Sequence, residues 1–397
     1  MAAGTPDGTE KWGYVEVRPK AHMFWWYYKS PYRTHHPNNP WPIILWLQGG
    51  PGASGVGIGN FKEVGPLDTS LKPRKSTWLR KADLLFVDIP VGTGYSFVED
   101  EKLLVKTDEE AATDLTTLLI AIFNKNESLQ KSPLYIVAES YGGKYAVTLG
   151  LSALKAIKDK RLKLILGGIV LGDSWISPED FVASWGPLLK DVSRIDDVGL
   201  IESNSLVENI KLQIAKGNLE DATKTWGVLQ RVVLAHSNGV VCLLFNFIGN
   251  MDRQDGLGNM SKQDFYNFLL DAWADLVSME VTELVRSTPK RRHLRYLDSL
   301  KTSPSKNDDL DLLMNGAIKK KLGIIPNDVI WEGLKAFLSI ARTPLHCRHG
   351  LITKGFTKSY QNLHFYWILG AGHFVPVDQP CVALEMVDNF TRSSVST

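Results

Sequence analysis

The sequence predicts an α/β fold: a doubly wound, mostly parallel sheet with an N-terminal β-hairpin and an inserted helical cap. Three observations predict it. Short, unbroken apolar runs occupy 43–47, 84–87, 134–137 and 165–171, and strands buried on both faces read this way. Helical patterns lie between them, as at 109–123 and 144–157, and strands alternating with helices argue for parallel pairing. From about Pro178 to Pro326 the pattern becomes amphipathic helix with charged surfaces and no buried-strand run, which reads as a cap. The division is therefore 1–178 for the first part of the core, 179–326 for the cap and 327–397 for the rest of the core.

The elements follow in order. Tyr14-Val15-Glu16-Val17 and Met23-Phe24-Trp25-Trp26-Tyr27-Tyr28 flank the turn Arg18-Pro19-Lys20 and make the hairpin. The four apolar runs are the core strands, and their carboxyl ends are where chemistry collects in such sheets. Within the cap, the greasy stretch 240–248 and the glycines after it read as a buried strand or a cap helix. Residues 363–369 form a closing strand, followed by Gly370-Ala371-Gly372-His373 and a helix over about 379–390.

Composition narrows the function. With 44% hydrophobic and 22% charged residues in 397, disordered, collagen-like and coiled-coil classes are excluded. Lysine and arginine total 45 against 43 acids, and a net charge of +2 gives no nucleic-acid footprint. No run of 18 apolar residues suggests a membrane span, and the start, Met1 to Gly8, lacks the pattern of a secretory signal. Cys242, Cys347 and Cys381 cannot build a disulfide scaffold and leave at least one thiol unpaired. Sequons at Asn126, Asn259 and Asn389 matter only in a secretory compartment. The pair His35-His36 has no third ligand nearby, Lys319-Lys320-Lys321 reads as a solvated helix face, and no metal or cofactor is expected.

Ala138-Glu139-Ser140-Tyr141-Gly142 follows one buried strand and opens a helix. A serine there sits on a tight turn that pushes its hydroxyl out of the sheet, with small neighbours where strand and helix pass closely. Gln48-Gly49-Gly50-Pro51-Gly52 follows another strand, where glycines let backbone N–H groups approach a ligand and hold an oxyanion. A Gly-Pro turn is the plain alternative. His373 ends the last strand, and the order serine then histidine is that of the α/β-hydrolases.

Five ordered motifs carry a closer resemblance: Trp46 to Ser54, Glu63-Val-Gly-Pro66, Asp88 to Ser96, Glu139-Ser-Tyr-Gly-Gly143 and Gly372-His-Phe-Val-Pro376. Together they resemble the serine carboxypeptidases, α/β-hydrolases that remove C-terminal residues from peptides. Gln48 and Gly172-Asp-Ser-Trp-Ile-Ser-Pro178 are similar to the plant serine carboxypeptidase-like proteins grouped with the animal retinoid-inducible enzyme. Leu313-Met-Asn-Gly316 and the residues to Leu322 also match. The resemblance implies Ser140 as nucleophile, His373 as its base, and the N–H groups of Gly50 and Tyr141 as the oxyanion hole. It implies Gln48, Glu63 and Glu139 as the holders of the substrate's free carboxylate. A carboxylate against two glutamates needs at least one proton there, so acid should favour the site, as in a vacuole, a lysosome or a secreted setting. Cys347 and Cys381 would pair in an oxidising compartment and Cys242 would stay free.

Three departures accompany the resemblance. The secretory signal is absent, so the chain starts where the mature domain of relatives starts. Residues 238–263 have no identified counterpart. Relatives carry an Asn-Gly-x-Leu-Asp strand end whose aspartate completes the triad, whereas here Ile330-Trp331 runs straight into Glu332-Gly333-Leu334. From Val329 to Gly372 the sole acid is Glu332, so no triad aspartate is assigned. Three readings follow: a peptidase acting on free C-termini, an acyltransferase on the same scaffold, or a truncated, non-catalytic homologue that keeps the pocket.

Overall fold

The structure, a computed structural model, describes residues 2–34, 40–191, 193–237, 309–329, 331, 345–346, 353–360, 363–369, 371 and 374–393. It divides into two compact units, Met1–Ser174 with Ser305–Thr397, and Trp175–Pro304.

The first unit is built on one sheet. Strands β1 (Ala2–Gly4), β2 (Glu10–Arg18) and β3 (Ala21–Tyr28) are antiparallel, with Lys20 at φ 64° in the predicted turn. Four parallel strands follow: β4 (Ile43–Leu47), β5 (Asp83–Val87), β7 (Pro133–Glu139) and β8 (Ile165–Gly172). The order is β1-β2-β3-β5-β4-β7-β8, with the short β6 (Phe97–Val98) paired to β3. Every residue of β4 and β5 is buried. Period-two alternation explains this: Ile43, Leu45 and Leu47 enter one core, Ile44 and Trp46 the other.

Helices α1 (Asp108–Phe123) and α3 (Gly142–Lys158) line the core of Leu45 through Leu115, Leu119, Tyr145 and Leu149. The short α2 (Glu127–Gln130) lies between them. Thr107 and Glu110 form a reciprocal capping box at the start of α1, a device that satisfies two orphan backbone donors. Arg18 grips Asp114 of α1 through two contacts, at 2.7 and 3.0 Å, tying hairpin to helix. The opposite core takes Phe61, Trp78, Leu310, Met314, Ile318, Trp331 and Val387.

The sequence division places 179–326 in the cap. The second unit instead closes at Pro304, because Leu310, Met314, Ile318, Leu322 and Ile325 bury in the core of the first unit. Lys319-Lys320-Lys321, expected as a solvated face, is only partly one. Lys319 donates to the carbonyls of Asn327 (3.0 Å) and Val329 (2.5 Å), while Lys321 pairs with Glu10 at 2.6 Å and lies over the ring of Trp26.

Two strands depart from expectation. Strand β8 reads in sequence as buried on both faces, yet Ile165, Ile169 and Leu171 are exposed, because no described strand pairs with its far edge. The closing strand β11 (Leu363–Ile368) forms, but outside the main sheet. It pairs with β10 (Thr353–Tyr360), which also pairs with β9 (Leu345–His346), in a separate antiparallel sheet of three. The final helix, expected over 379–390, runs Pro380–Ser393.

In the second unit the described residues form α4 (Pro178–Asp191), α5 (Asp197–Ala215) and α6 (Leu219–His236). Trp175 stacks on Phe181 and meets Trp226 at 5.8 Å, and the Asp196 side chain caps α5 through Gly199 N–H. Among the described residues no helix is long and apolar enough to cross a membrane. Cys381 is disulfide-bonded, while Cys242 and Cys347 lie outside the described residues, as do 238–263 and His35-His36.

Candidate active site

Ser140 leaves the end of β7 at φ 62°, a left-handed conformation that few non-glycine residues adopt, and α3 begins two residues later. Its N–H donates to Gly172 O on β8 and its carbonyl accepts Gly143 N–H, each at 3.0 Å, so both neighbours fix the turn. The loop after β4 passes directly over it. A Cβ built on Gly49 would sit 2.4 Å from Ser140 Cβ and 2.8 Å from its Oγ. Glycine at 49 is thus required by the serine itself, a role the sequence does not separate from oxyanion binding. Gly142 is needed likewise, facing Leu47 O at 2.3 Å from a built Cβ. Gly50 follows at φ 126°, and Tyr141 stands at the helix start with its hydroxyl on Asp108 at 3.0 Å.

Behind the serine lies a buried polar cluster. Trp46 Nε1 donates to Gln48 Oε1 at 2.7 Å, and Gln48 Nε2 donates to Glu139 Oε1 at 2.9 Å, which fixes the orientation of the amide. Glu63 faces Gln48 and Glu139 from the π-helix Gly55–Val64, 1% exposed, with no hydrogen bond of good geometry to either oxygen. Burial pushes Glu63 up to about 7. It raises Glu139 well above the usual carboxylate range, and the facing Glu63 charge adds to the effect. Two carboxyls so placed hold at least one proton near neutrality. Asp173, at φ 42°, and Asp378 contribute further negative charge.

Three residues support the site in roles the sequence reading did not assign. Arg74 is half-buried and donates to the carbonyls of Phe61 (2.6 Å), Gly65 (3.2 Å) and Leu67 (3.3 Å), closing the end of the helix that carries Glu63. Asp88 anchors its start: one oxygen accepts Ser54 Oγ and Val56 N–H (3.1 Å), the other Tyr95 N–H (2.8 Å). Burial raises Asp88 to about 6. Trp331 then donates its indole N–H to the same Ser54 oxygen at 2.7 Å. A lone arginine, aspartate or tryptophan carries no periodic signal, so only tertiary contact reveals these roles.

The described part of the site thus brings together Ser140, Gly50, Tyr141, Gln48, Glu63 and Glu139. His373 lies outside the described residues. Among the described residues no cluster suited to a metal ion occurs.

The raised carboxyls have a thermodynamic consequence. Folded-state values above the unfolded ones mean that the native state binds more protons, so stability is greatest below the unfolded value of about 4.3 and declines as pH rises toward 7. Thermal melts at pH 5 and pH 7.5 should therefore show the lower midpoint at pH 7.5, and Glu63→Gln should flatten the difference. A midpoint that rises with pH would count against protonation of the pair.

A strained serine at a strand-to-helix turn on a parallel sheet, beside a glycine loop from the neighbouring strand, has the form of an α/β-hydrolase. Kex1(delta)p, a prohormone-processing carboxypeptidase of Saccharomyces cerevisiae, shares that fold at a TM-score of 0.61 and 20% identity, over 97% of this chain and 91% of its own. The family model for serine carboxypeptidase matches residues 2–343 and 307–393. Serine carboxypeptidase-like 51 of Arabidopsis thaliana is 54% identical over 98% of this chain and 93% of its own length. The human retinoid-inducible serine carboxypeptidase is 36% identical over 98% and 92%. The chain belongs to the serine carboxypeptidase family. The alignment with the Arabidopsis relative spans 451 positions against a chain of 397 residues, so at least 54 of them (451 less 397) have no counterpart here.

Proposed function

We propose that the pocket at Ser140 receives the free C-terminal carboxylate of a peptide, and that this chain binds such peptides with little turnover. The observation that carries the reading is Glu63: fully buried, without a well-formed hydrogen bond to either oxygen, and facing Glu139 and Gln48 next to the serine. A protonated carboxyl there donates to the substrate carboxylate, and Gln48 and the second glutamate orient it. Ser140 attacks the scissile carbonyl, with His373 taking its proton and the N–H groups of Gly50 and Tyr141 meeting the oxyanion. The acyl-enzyme forms as the C-terminal amino acid leaves, and water releases the shortened peptide.

Weak turnover is the second part of the reading. It is supported by the absence of aspartate from Val329 to Gly372 and by the positions this chain lacks relative to its Arabidopsis relative. Proton-dependent binding fits an acidic compartment, vacuolar, lysosomal or secreted.

Calorimetry with a peptide free acid and its amide tests the pocket. At pH 5 the acid should bind at least about tenfold tighter, the worth of one charge-assisted hydrogen bond, and the advantage should shrink by pH 8 as Glu63 loses its proton. Equal affinities at both pH values would remove the carboxylate assignment.

A further inference from the structure

Lys144 stands in the first turn of α3, the end of a helix where the backbone dipole disfavours a positive charge. Its surroundings account for it. The ammonium pairs with Asp108 Oδ2 at 3.0 Å, donates to the Tyr141 hydroxyl at 3.2 Å and lies over that ring, 4.7 Å from its centre. The Tyr141 hydroxyl donates in turn to Asp108 Oδ1 at 3.0 Å, so the three groups close a triangle. Burial works to lower the ammonium, yet Asp108 and Tyr141 hold it above its usual value, and it stays charged.

The triangle joins two helices where they begin. Asp108 is the first residue of α1, a position that favours an acid, and Tyr141 directly precedes α3. Tyr145, one turn on, also meets the Tyr141 ring, at 5.2 Å and 66°. The Lys144 side chain is 32% exposed and that of Asp108 17%, so water screens their pairing less than it screens a surface pair. The Tyr141 phenol cannot turn without breaking a charge-assisted contact. Ser140 is fixed through its own N–H and carbonyl, whereas Tyr141 is fixed also through its side chain.

We infer that Asp108 and Lys144 are positioning residues, which hold Tyr141 through its phenol so that its backbone N–H meets the oxyanion. The inference rests on the reading above, in which Ser140 attacks and Gly50 and Tyr141 supply the N–H groups. The N–H groups that open a helix have no acceptor within it, which leaves them for a ligand. Removing such a donor outright costs on the order of 10²–10³ in rate, so loosening one should cost about tenfold.

Labelling of Ser140 by a fluorophosphonate, followed by intact mass in the full chain, tests this. The serine oxygen bonds to phosphorus as fluoride leaves and the serine proton is lost, with the phosphoryl oxygen in the oxyanion position. The step therefore reads the N–H groups without peptide turnover. Lys144→Met and Asp108→Asn should each lower the maximal labelling rate about tenfold, with the half-saturating concentration changed less than about twofold. Tyr141→Phe, which keeps the ring and removes the handle, should match them. The double variant should lose no more than either single one, since both act through Tyr141. Lys144→Arg keeps the charge and should recover most of the rate, and Lys155→Met, at the other end of α3, should leave it unchanged. Thermal melts verify that each variant is folded. Unchanged maximal rates in the folded variants, or losses that multiply in the double one, would overturn the inference and leave Ser140 as nucleophile. A parent chain labelled no faster than Ser140→Ala would instead remove that reading, and the inference with it.

Discussion

Hydrolysis of a blocked dipeptide by this chain should run about 10⁴-fold below that of the same chain with a relative's aspartate-bearing strand restored after Trp331. That factor is the cost of losing the orienting aspartate in known serine proteases with the rest of the triad in place. Loss of an interior strand would act in the same direction, because it changes the spacing between strands. Among the described residues, strand β11 pairs with β10 in the small sheet and not in the main one. Proton transfer needs heavy atoms within roughly 3 Å, and adjacent strands stand about 4.8 Å apart. Among the described residues no hydrogen-bond partner meets the Ser140 hydroxyl. Asp328, ahead of Trp331, is exposed. The Ser140→Ala form of the repaired chain is the control. Robust hydrolysis by the unrepaired chain, abolished by Ser140→Ala, would show that the segment is dispensable.

Trp331→Ala should cost about 3–5 kcal/mol of stability, the range for truncating a buried aromatic. The indole is 1% exposed and packs against Gly57, where a built Cβ would come within 1.9 Å of its ring. Its backbone is also held, with Asn315 Oδ1 accepting Trp331 N–H at 2.7 Å and Asn315 Nδ2 donating to Trp331 O at 3.0 Å. Truncation leaves a cavity beside the helix that carries Glu63 and removes a donor from Ser54. Trp331→Phe keeps most of the packing and loses the bond, so about 1 kcal/mol distinguishes the lost hydrogen bond from the lost volume. Urea denaturation of the three forms measures both. A loss below about 1 kcal/mol for Trp331→Ala would mean that the segment before residue 332 is not anchored.

The sheet centre is legible in the sequence because its strands are buried on both faces, a setting that leaves unbroken apolar runs of strand length. The turn at Ser140 is legible for a related reason: small residues at 138 and 142 flanking a serine follow from close packing of strand on helix. Strand β8 misleads because burial is a property of a pair of strands and not of one. Ile165 to Leu171 reads as interior, but the described residues supply it with one partner only. The limit of the cap misleads for the opposite reason, since 309–322 is helical like the cap yet packs its apolar side into the first unit. Arg74 and Asp88 act by each gathering three tertiary contacts, to carbonyls in one case and to a hydroxyl and two amides in the other, and such contacts leave no periodic pattern along the chain.

The anchoring of Trp331 sets an upper bound on what the chain can build next. Thirteen residues, 332–344, separate it from the start of β9. A strand of typical length takes about five or six residues, and returning to lay another strand parallel beside it takes a dozen or more. The interval is too short for both. No rearrangement between these two points can reinstate the full strand-and-crossover unit, so recovery of an orienting acid demands added length, and point substitution within the interval cannot replace an insertion.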